Sequence, residues 1–198
     1  MAKTGKKVLV LEQHDQAGGC CHTFIDKGYE FDVGIHYIGE VNPGHLNRTL
    51  VDQITDGQLE WAPLDEAYDV VQIDYDKDKK RQYEILAGRS NWKSLLHKQF
   101  PNETQAIDKY FELIDQTKSF EIINGLLKLI PLWLAWIVVH SGLLHVFSNL
   151  WSGIFKKSTL EVVKSLTTNQ DLQTIFTYCW GDYGCSPKES HFLMQVHM

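Results

Sequence analysis

The 198-residue sequence has no CxxC pair, no dense Lys/Arg stripe and no apolar run of the roughly 20 residues that a membrane span needs. Its four cysteines form an adjacent pair, Cys20 and Cys21, and a distant pair, Cys179 and Cys185. That spacing supports neither a thioredoxin-like motif nor a zinc knuckle. A mixed thiolate and imidazole site from Cys20, Cys21, His22 and His36 is the one metal arrangement to weigh, against the plainer reading of small buried or loop thiols, and no metal is expected. A formal charge of −6 and a pI near 5.8 exclude a nucleic-acid partner, which needs a basic face to neutralise phosphates. The one basic cluster, Lys77, Lys79, Lys80 and Arg81, alternates with Asp74, Asp76 and Asp78 and reads as a solvated turn. The basic stretch Met1 to Lys7 leads into an apolar run shorter than the roughly 7–15 residues of a secretory signal. Repeats and low-complexity tracts are absent from the sequence.

What is there is ordinary globular composition, 43% hydrophobic and 22% charged, enough for one sizeable core or one domain with an appendage. Lys7-Val8-Leu9-Val10-Leu11 has the pattern of a strand buried on both faces of a parallel sheet, and Glu12 sits at its carboxyl end. Glycine-punctuated chain follows, through Gly18-Gly19, Gly28, Gly34 and Gly39, as expected of loops that turn tightly or approach a ligand closely. Val70 to Tyr75 and Gln82 to Ile85 flank a charged tip, Asp76 to Lys80, which predicts an antiparallel hairpin outside the nucleotide fold. Asn102 with Gln105 predicts a cap on a helix through about Ser119, with Ile107, Tyr110, Phe111 and Ile114 on one face. Ser158 with Glu161 predicts a second capping box on a helix through Leu166, and Asn169 a third start on a helix ending near Trp180, before Gly181.

The most apolar segment runs from Leu126 to His140, but Lys128, Pro131 and His140 leave only Leu132 to Val139 uninterrupted. A helix lying in a membrane interface, Trp133 and Trp136 at headgroup depth and Lys128, Lys156 and Lys157 toward water, fits better than a span. A helix buried in a larger core is the competing reading.

In a dinucleotide-binding βαβ unit the first strand ends in GxGxxG, and an acid at the end of the second strand bonds a ribose. Glu12 has the setting of that acid, while the eleven residues before it contain no GxGxxG. The run Glu12-Gln13-His14-Asp15-Gln16-Ala17-Gly18-Gly19-Cys20-Cys21-His22-Thr23-Phe24 resembles the second-strand and flavin-loop motif of the phytoene desaturase and carotenoid isomerase superfamily. With Phe31-Asp32-Val33-Gly34-Ile35-His36-Tyr37-Ile38-Gly39, it is similar to the retinoid-saturating branch of that superfamily. The likeness continues through Asp52-Gln53-Ile54-Thr55, Gly57-Gln58-Leu59, Trp61-Ala62-Pro63-Leu64, Phe100-Pro101 and Ile107-Asp108-Lys109-Tyr110 to Tyr183-Gly184 and Ser186-Pro187.

The resemblance implies an α/β fold: an incomplete FAD/NAD(P)-binding Rossmann-like region over residues 1–67, a hairpin over 68–90 and a mainly helical, membrane-proximal substrate region over 91–198. It implies FAD as cofactor, NAD(P)H as electron source and a retinoid as substrate, one double bond of which is reduced. Glu12 and Gln13 would hold the adenosine ribose side, Gly18 and Gly19 would pass beside the pyrophosphate, and Asp32, Gly34 and His36 would lie near the flavin. No acid or base is assigned; His22, His36 and Tyr37 are the candidates for either role. An endoplasmic reticulum membrane setting, peripheral or monotopic through Leu126 to Val139, is implied as well. The missing GxGxxG turn and an end inside the substrate region lead to the expectation of an amino-proximal fragment that neither retains FAD tightly nor turns over substrate. A truncated product without activity, a membrane-surface interaction module and a nicotinamide dehydrogenase are the rivals.

Overall fold

The computed structural model describes residues 1–74, 80–141 and 157–196, with the backbone alone at 118–124, 126 and 127. It divides into two compact units, Met1–Pro63 and Leu64–Met198.

In the first unit, Thr23–Asp26 (β1) and Tyr29–Asp32 (β2) pair antiparallel, Phe24 opposite Phe31. Lys27 and Gly28, both at positive φ (52° and 85°), make the two-residue turn whose twist matches that of a hairpin. The rings of Phe24 and Phe31 stack across the strands at 5.4 Å. A helix, Leu46–Thr55 (α1), closes on Asp56 in the left-handed region. Arg48 lies over the Trp61 ring and pairs with Asp52 one turn on, at 2.9 Å. None of the described residues 1–63 is buried.

The predicted strand over Lys7 to Leu11 is corrected here. That stretch carries no secondary structure, and Leu9, Val10 and Leu11 are 82%, 78% and 85% exposed. A parallel strand holds its shape only through hydrogen-bonded neighbours and covered faces. The described residues supply neither, since their two sheets are separate antiparallel pairs of two strands. Glu12 therefore stands at no sheet edge.

The second unit carries the core. Ala67–Ile73 (β3) and Arg81–Leu86 (β4) form the predicted hairpin, with an irregularity between Ala67 and Asp69; its tip, residues 75–79, lies outside the described residues. Val71 and Ile73 point inward with Ile85, while Val70 is half exposed, as strand alternation requires. Helices Arg89–Gln99 (α2) and Thr104–Leu127 (α3) follow. The spacing of Ile107, Tyr110, Phe111 and Ile114 places them on one face of α3, where the first three are buried and Ile114 packs against the core. That helix opens on the carbonyl of Glu103 rather than at Asn102 and runs past Ser119 to Leu127.

Leu132–His140 (α4) stands on Pro131. Beyond residues 142–156, which are not described, come Thr159–Leu166 (α5), Gln170–Phe176 (α6) and Phe192–Val196 (α7). The capping box on α5 is as predicted: the Glu161 N–H donates to Ser158 Oγ (3.2 Å) and the Ser158 N–H to Glu161 Oε2 (2.8 Å). Asn169 Oδ1 accepts from the Leu172 N–H at 3.1 Å, capping α6, whose helical path ends at Phe176 and continues as a 3₁₀ turn over Tyr178–Gly181. Tyr110 stacks on Phe176 with ring centroids 3.9 Å apart and donates to its carbonyl, joining α3 to α6. Tyr83 and Arg81 both reach Asp171 Oδ2, at 2.6 and 3.1 Å, and tie the hairpin to the first turn of α6.

Candidate functional site

The chemistry-bearing residues of the first unit lie along Glu12 to Tyr37, and local backbone bonds fold this stretch onto itself. Gly18 (φ 131°) and Gly19 (φ 56°) take conformations that a β-carbon disfavours. They start a 3₁₀ turn, Gly19–Cys21, closed by the Cys21 N–H donating to the Gly18 carbonyl at 2.9 Å. A methyl group on Gly18 would also meet His22 Cβ at 3.1 Å. The chain then enters β1, turns, returns along β2, and the Val33 N–H donates to the His22 carbonyl at 3.2 Å. This brings Gly34 against the turn: a β-carbon there would stand 3.0 Å from the Cys20 carbonyl oxygen and 3.1 Å from Cys20 Cβ. Two segments some dozen residues apart are thus pressed together only because one of them has no side chain.

Glu12 Oε1 accepts from the His14 N–H (3.0 Å) and faces His14 Nδ1 (2.8 Å). The His14 backbone donor first and its ring second hold the Glu12 carboxyl below the usual range. His14 in turn meets His22 edge to face at 5.8 Å. His22 Nδ1 is enclosed and has no hydrogen-bond partner among the described residues. Asp32 and His36 form a pair at 3.5 Å, both partly exposed, and Tyr37 and Gln13 are exposed. So the structure joins Glu12 to the glycine turn through His14 and His22, joins Gly34 to Cys20, and joins Asp32 to His36. Among the described residues no hydrogen bond or ion pair links Glu12 to the Asp32–His36 pair. His14 was the residue missed by sequence reasoning; a histidine two places after an acid in a glycine-rich turn was its signal.

For a dinucleotide the donor set fits in part. Oε2 of Glu12 takes neither His14 contact, which leaves it to a ribose hydroxyl, and Gly19 has open space on the side where a β-carbon would stand. The sheet that would align these groups with a pyrophosphate is not formed among the described residues. Metal ligation has no such support: no group of three or more His, Cys, Asp or Glu suited to a metal ion occurs among them, so Cys20, Cys21, His22 and His36 do not assemble into one.

A second feature lies in the other unit. On α4, Leu132, Trp133, Trp136 and Ile137 line one open apolar surface, with Leu132 87% and Trp133 65% exposed. Trp136 stacks on His140, whose Nδ1 meets the Trp136 carbonyl at 2.8 Å. No described helix is long and apolar enough to cross a membrane.

Comparison with known proteins bears on both features. Residues 1–54 match the profile of an NAD(P)-binding Rossmann-like domain, so the unit holding the glycine turn has a nucleotide-binding relationship even though its first apolar run is unpaired. With two antiparallel hairpins and a helical second half, the chain is α/β. Over 98% of its length it is 45% identical to an all-trans-retinol 13,14-reductase of Danio rerio, and over 99% it is 41% identical to the one of Homo sapiens. A Danio rerio protein described as an inactive all-trans-retinol 13,14-reductase is 39% identical over 99% of the chain. The aligned region is 32% of the length of each of these relatives. No solved structure matches. Over nearly its whole length the chain is similar to a stretch that makes up about one third of these all-trans-retinol 13,14-reductases.

Proposed function

We propose that this chain is the ribose-binding and membrane-proximal portion of a flavin-dependent reductase that saturates the 13,14 double bond of all-trans-retinol. The observation that carries this reading is identity of 41–45%, kept over nearly every residue, to two proteins that bear that activity in their names. Glu12, with Gln13 beside it, bonds the adenosine ribose; Gly18 and Gly19 let main-chain amides pass beside the pyrophosphate. Asp32, Gly34 and His36 would lie near the flavin ring. FAD, when bound, supplies hydride to one carbon of the polyene, with NAD(P)H as the electron source, and the protein supplies orientation and a dry pocket. A proton must also reach the second carbon. Of the three candidates named above we favour His36, whose Nδ1 stands 3.5 Å from the Asp32 carboxylate.

The substrate is nearly insoluble in water, and α4 offers two exposed tryptophans where a retinoid-bearing bilayer would meet the protein. We place the protein at the endoplasmic reticulum membrane by the same reading, peripheral or monotopic.

The test uses the complete reading frame, since the 198 residues contain no GxGxxG and are not expected to hold FAD tightly by themselves. Purified protein is examined for a flavin spectrum and for conversion of all-trans-retinol to its 13,14-dihydro product. Glu12→Ala is expected to weaken FAD binding at least tenfold. Wild-type affinity for FAD in that variant overturns the assignment of Glu12. A second reading, a protein of the same fold without turnover, rests on the similarity to the inactive relative, 39% identical; flavin bound without product formation would establish it.

A further inference from the structure

Cys20 and Cys21 are adjacent, both exposed and both in the 3₁₀ turn Gly19–Cys21, and nothing in the proposed chemistry uses them. We propose that they form a vicinal dithiol modification site, which hydroperoxides oxidise reversibly to a disulfide between neighbouring residues, opening the glycine turn. The inference concerns the two sulfurs and the turn, and stands whether or not the turn carries a nucleotide.

Proximity is covalent here: the two side chains leave consecutive α-carbons and have no competing partner among the described residues, unlike Cys179, which is buried against Gln195 Nε2 at 2.8 Å. Loss of solvent around its sulfur first, and Cys20 beside it second, hold the Cys21 thiol above its ordinary range. We accordingly assign the resolving role to Cys21 and the first attack to its neighbour Cys20. The Cys20 thiolate attacks one oxygen of the hydroperoxide, the O–O bond breaks, and the leaving oxygen departs as water or an alcohol after taking up a proton; Cys20 becomes a sulfenic acid. The Cys21 sulfur then attacks the Cys20 sulfur, its proton leaves with the hydroxyl as water, and the disulfide forms. Two thiols lose two protons and two electrons, and the peroxide takes up both.

Geometry makes the product labile and coupled to the fold. Consecutive α-carbons stand about 3.8 Å apart across a trans peptide, short of the roughly 4.4–6.8 Å of a relaxed disulfide. Closing the ring strains the bond and so makes it easy to reduce. It also twists the Cys20–Cys21 peptide, whose N–H closes the turn on Gly18 and whose Cys20 carbonyl abuts Gly34. Both contacts must give way.

The experiment treats the complete protein with a small excess of hydrogen peroxide, blocks free thiols, and digests with trypsin. Peptide Val8–Lys27 contains Cys20 and Cys21 and neither other cysteine. The expected result is a peptide lighter by two hydrogens, unalkylated, and restored to two alkylated thiols when dithiothreitol precedes blocking. In Cys21→Ser the reaction is expected to stop at a dimedone-trapped sulfenic acid on Cys20. Two alkylated cysteines after peroxide, direct passage to sulfinic acid, or pairing with Cys179, Cys185 or a second chain would each overturn the proposal. Amide exchange of Val33 reports the coupling: its protection by the His22 carbonyl is expected to fall at least tenfold on oxidation, and unchanged protection refutes the opening of the turn.

Discussion

At the scale of single residues, the acid that the sequence marks as a ribose ligand has its own local partner. His14 supplies Glu12 with a backbone donor and a ring nitrogen, which lowers the carboxyl's pKa. In His14→Ala the ring contact is lost, and the Glu12 titration followed by carbon NMR is expected to move up toward the ordinary range while remaining below it, because the backbone donor persists. Gly34 is a sharper case. Its φ is unremarkable, so sequence alone offers no conformational reason for glycine there; the reason is the Cys20 carbonyl 3.0 Å from where a β-carbon would sit. Gly34→Ala is expected to destabilise the β1–β2 turn by about 1–3 kcal/mol, read as faster amide exchange across Thr23–Asp32. Tyr83 tests the alkaline range. Burial first, and Asp171 second, push its phenol up to about 12. An unfolded tyrosine ionises near pH 10. Between pH 10 and 12 the folded chain therefore keeps a proton that the unfolded one loses, and stability falls as pH rises through that window. In Tyr83→Phe this part of the alkaline slope is expected to vanish in denaturant titrations taken at intervals of pH.

At the scale of elements, what was legible was what is local. Ser158 and Asn169 declare helix starts because the groups they satisfy lie within three residues, and both caps stand where the sequence places them. Ser158→Ala is expected to cost about 1 kcal/mol in denaturant unfolding. The β3–β4 hairpin was equally legible, since alternation and a charged tip are short-range signals. Asn102 misled by one residue: Glu103 supplies the opening carbonyl, and its carboxylate accepts from Thr167 Oγ1 at 2.9 Å, a tie 64 positions away that no capping rule contains. Helix α4 turns the same lesson toward function. Its composition shows an apolar helix, and the structure adds that Trp133 and Trp136 face outward. Replacing both with Glu is expected to abolish flotation with liposomes, and binding unchanged by that replacement removes α4 as the membrane contact.

At the scale of the whole molecule, the two compact units differ in kind. The second is held by a buried cluster from β3, β4, α2, α3, α5, α6 and α7, with the Tyr110–Phe176 stack inside it. Phe176→Ala is expected to cost about 3–5 kcal/mol, a large share of a typical domain's total, and to lower the melting temperature of the helical signal accordingly. The first unit has no buried residue among those described. Amides of Val8 to Leu11 are expected to exchange at unprotected rates in the 198-residue chain, and protection there would show that the run is paired after all. The sequence by itself determined the nucleotide-fold kinship, the caps, the hairpin and the glycine turn, because identity, short-range hydrogen bonding and backbone freedom are written residue by residue. Whether an apolar run is a strand depends on edges to pair with and faces to cover, and those are properties of other segments. Tertiary structure alone decided that Lys7 to Leu11 stands open, that Gly34 makes room for Cys20, and that the tryptophans of α4 meet solvent.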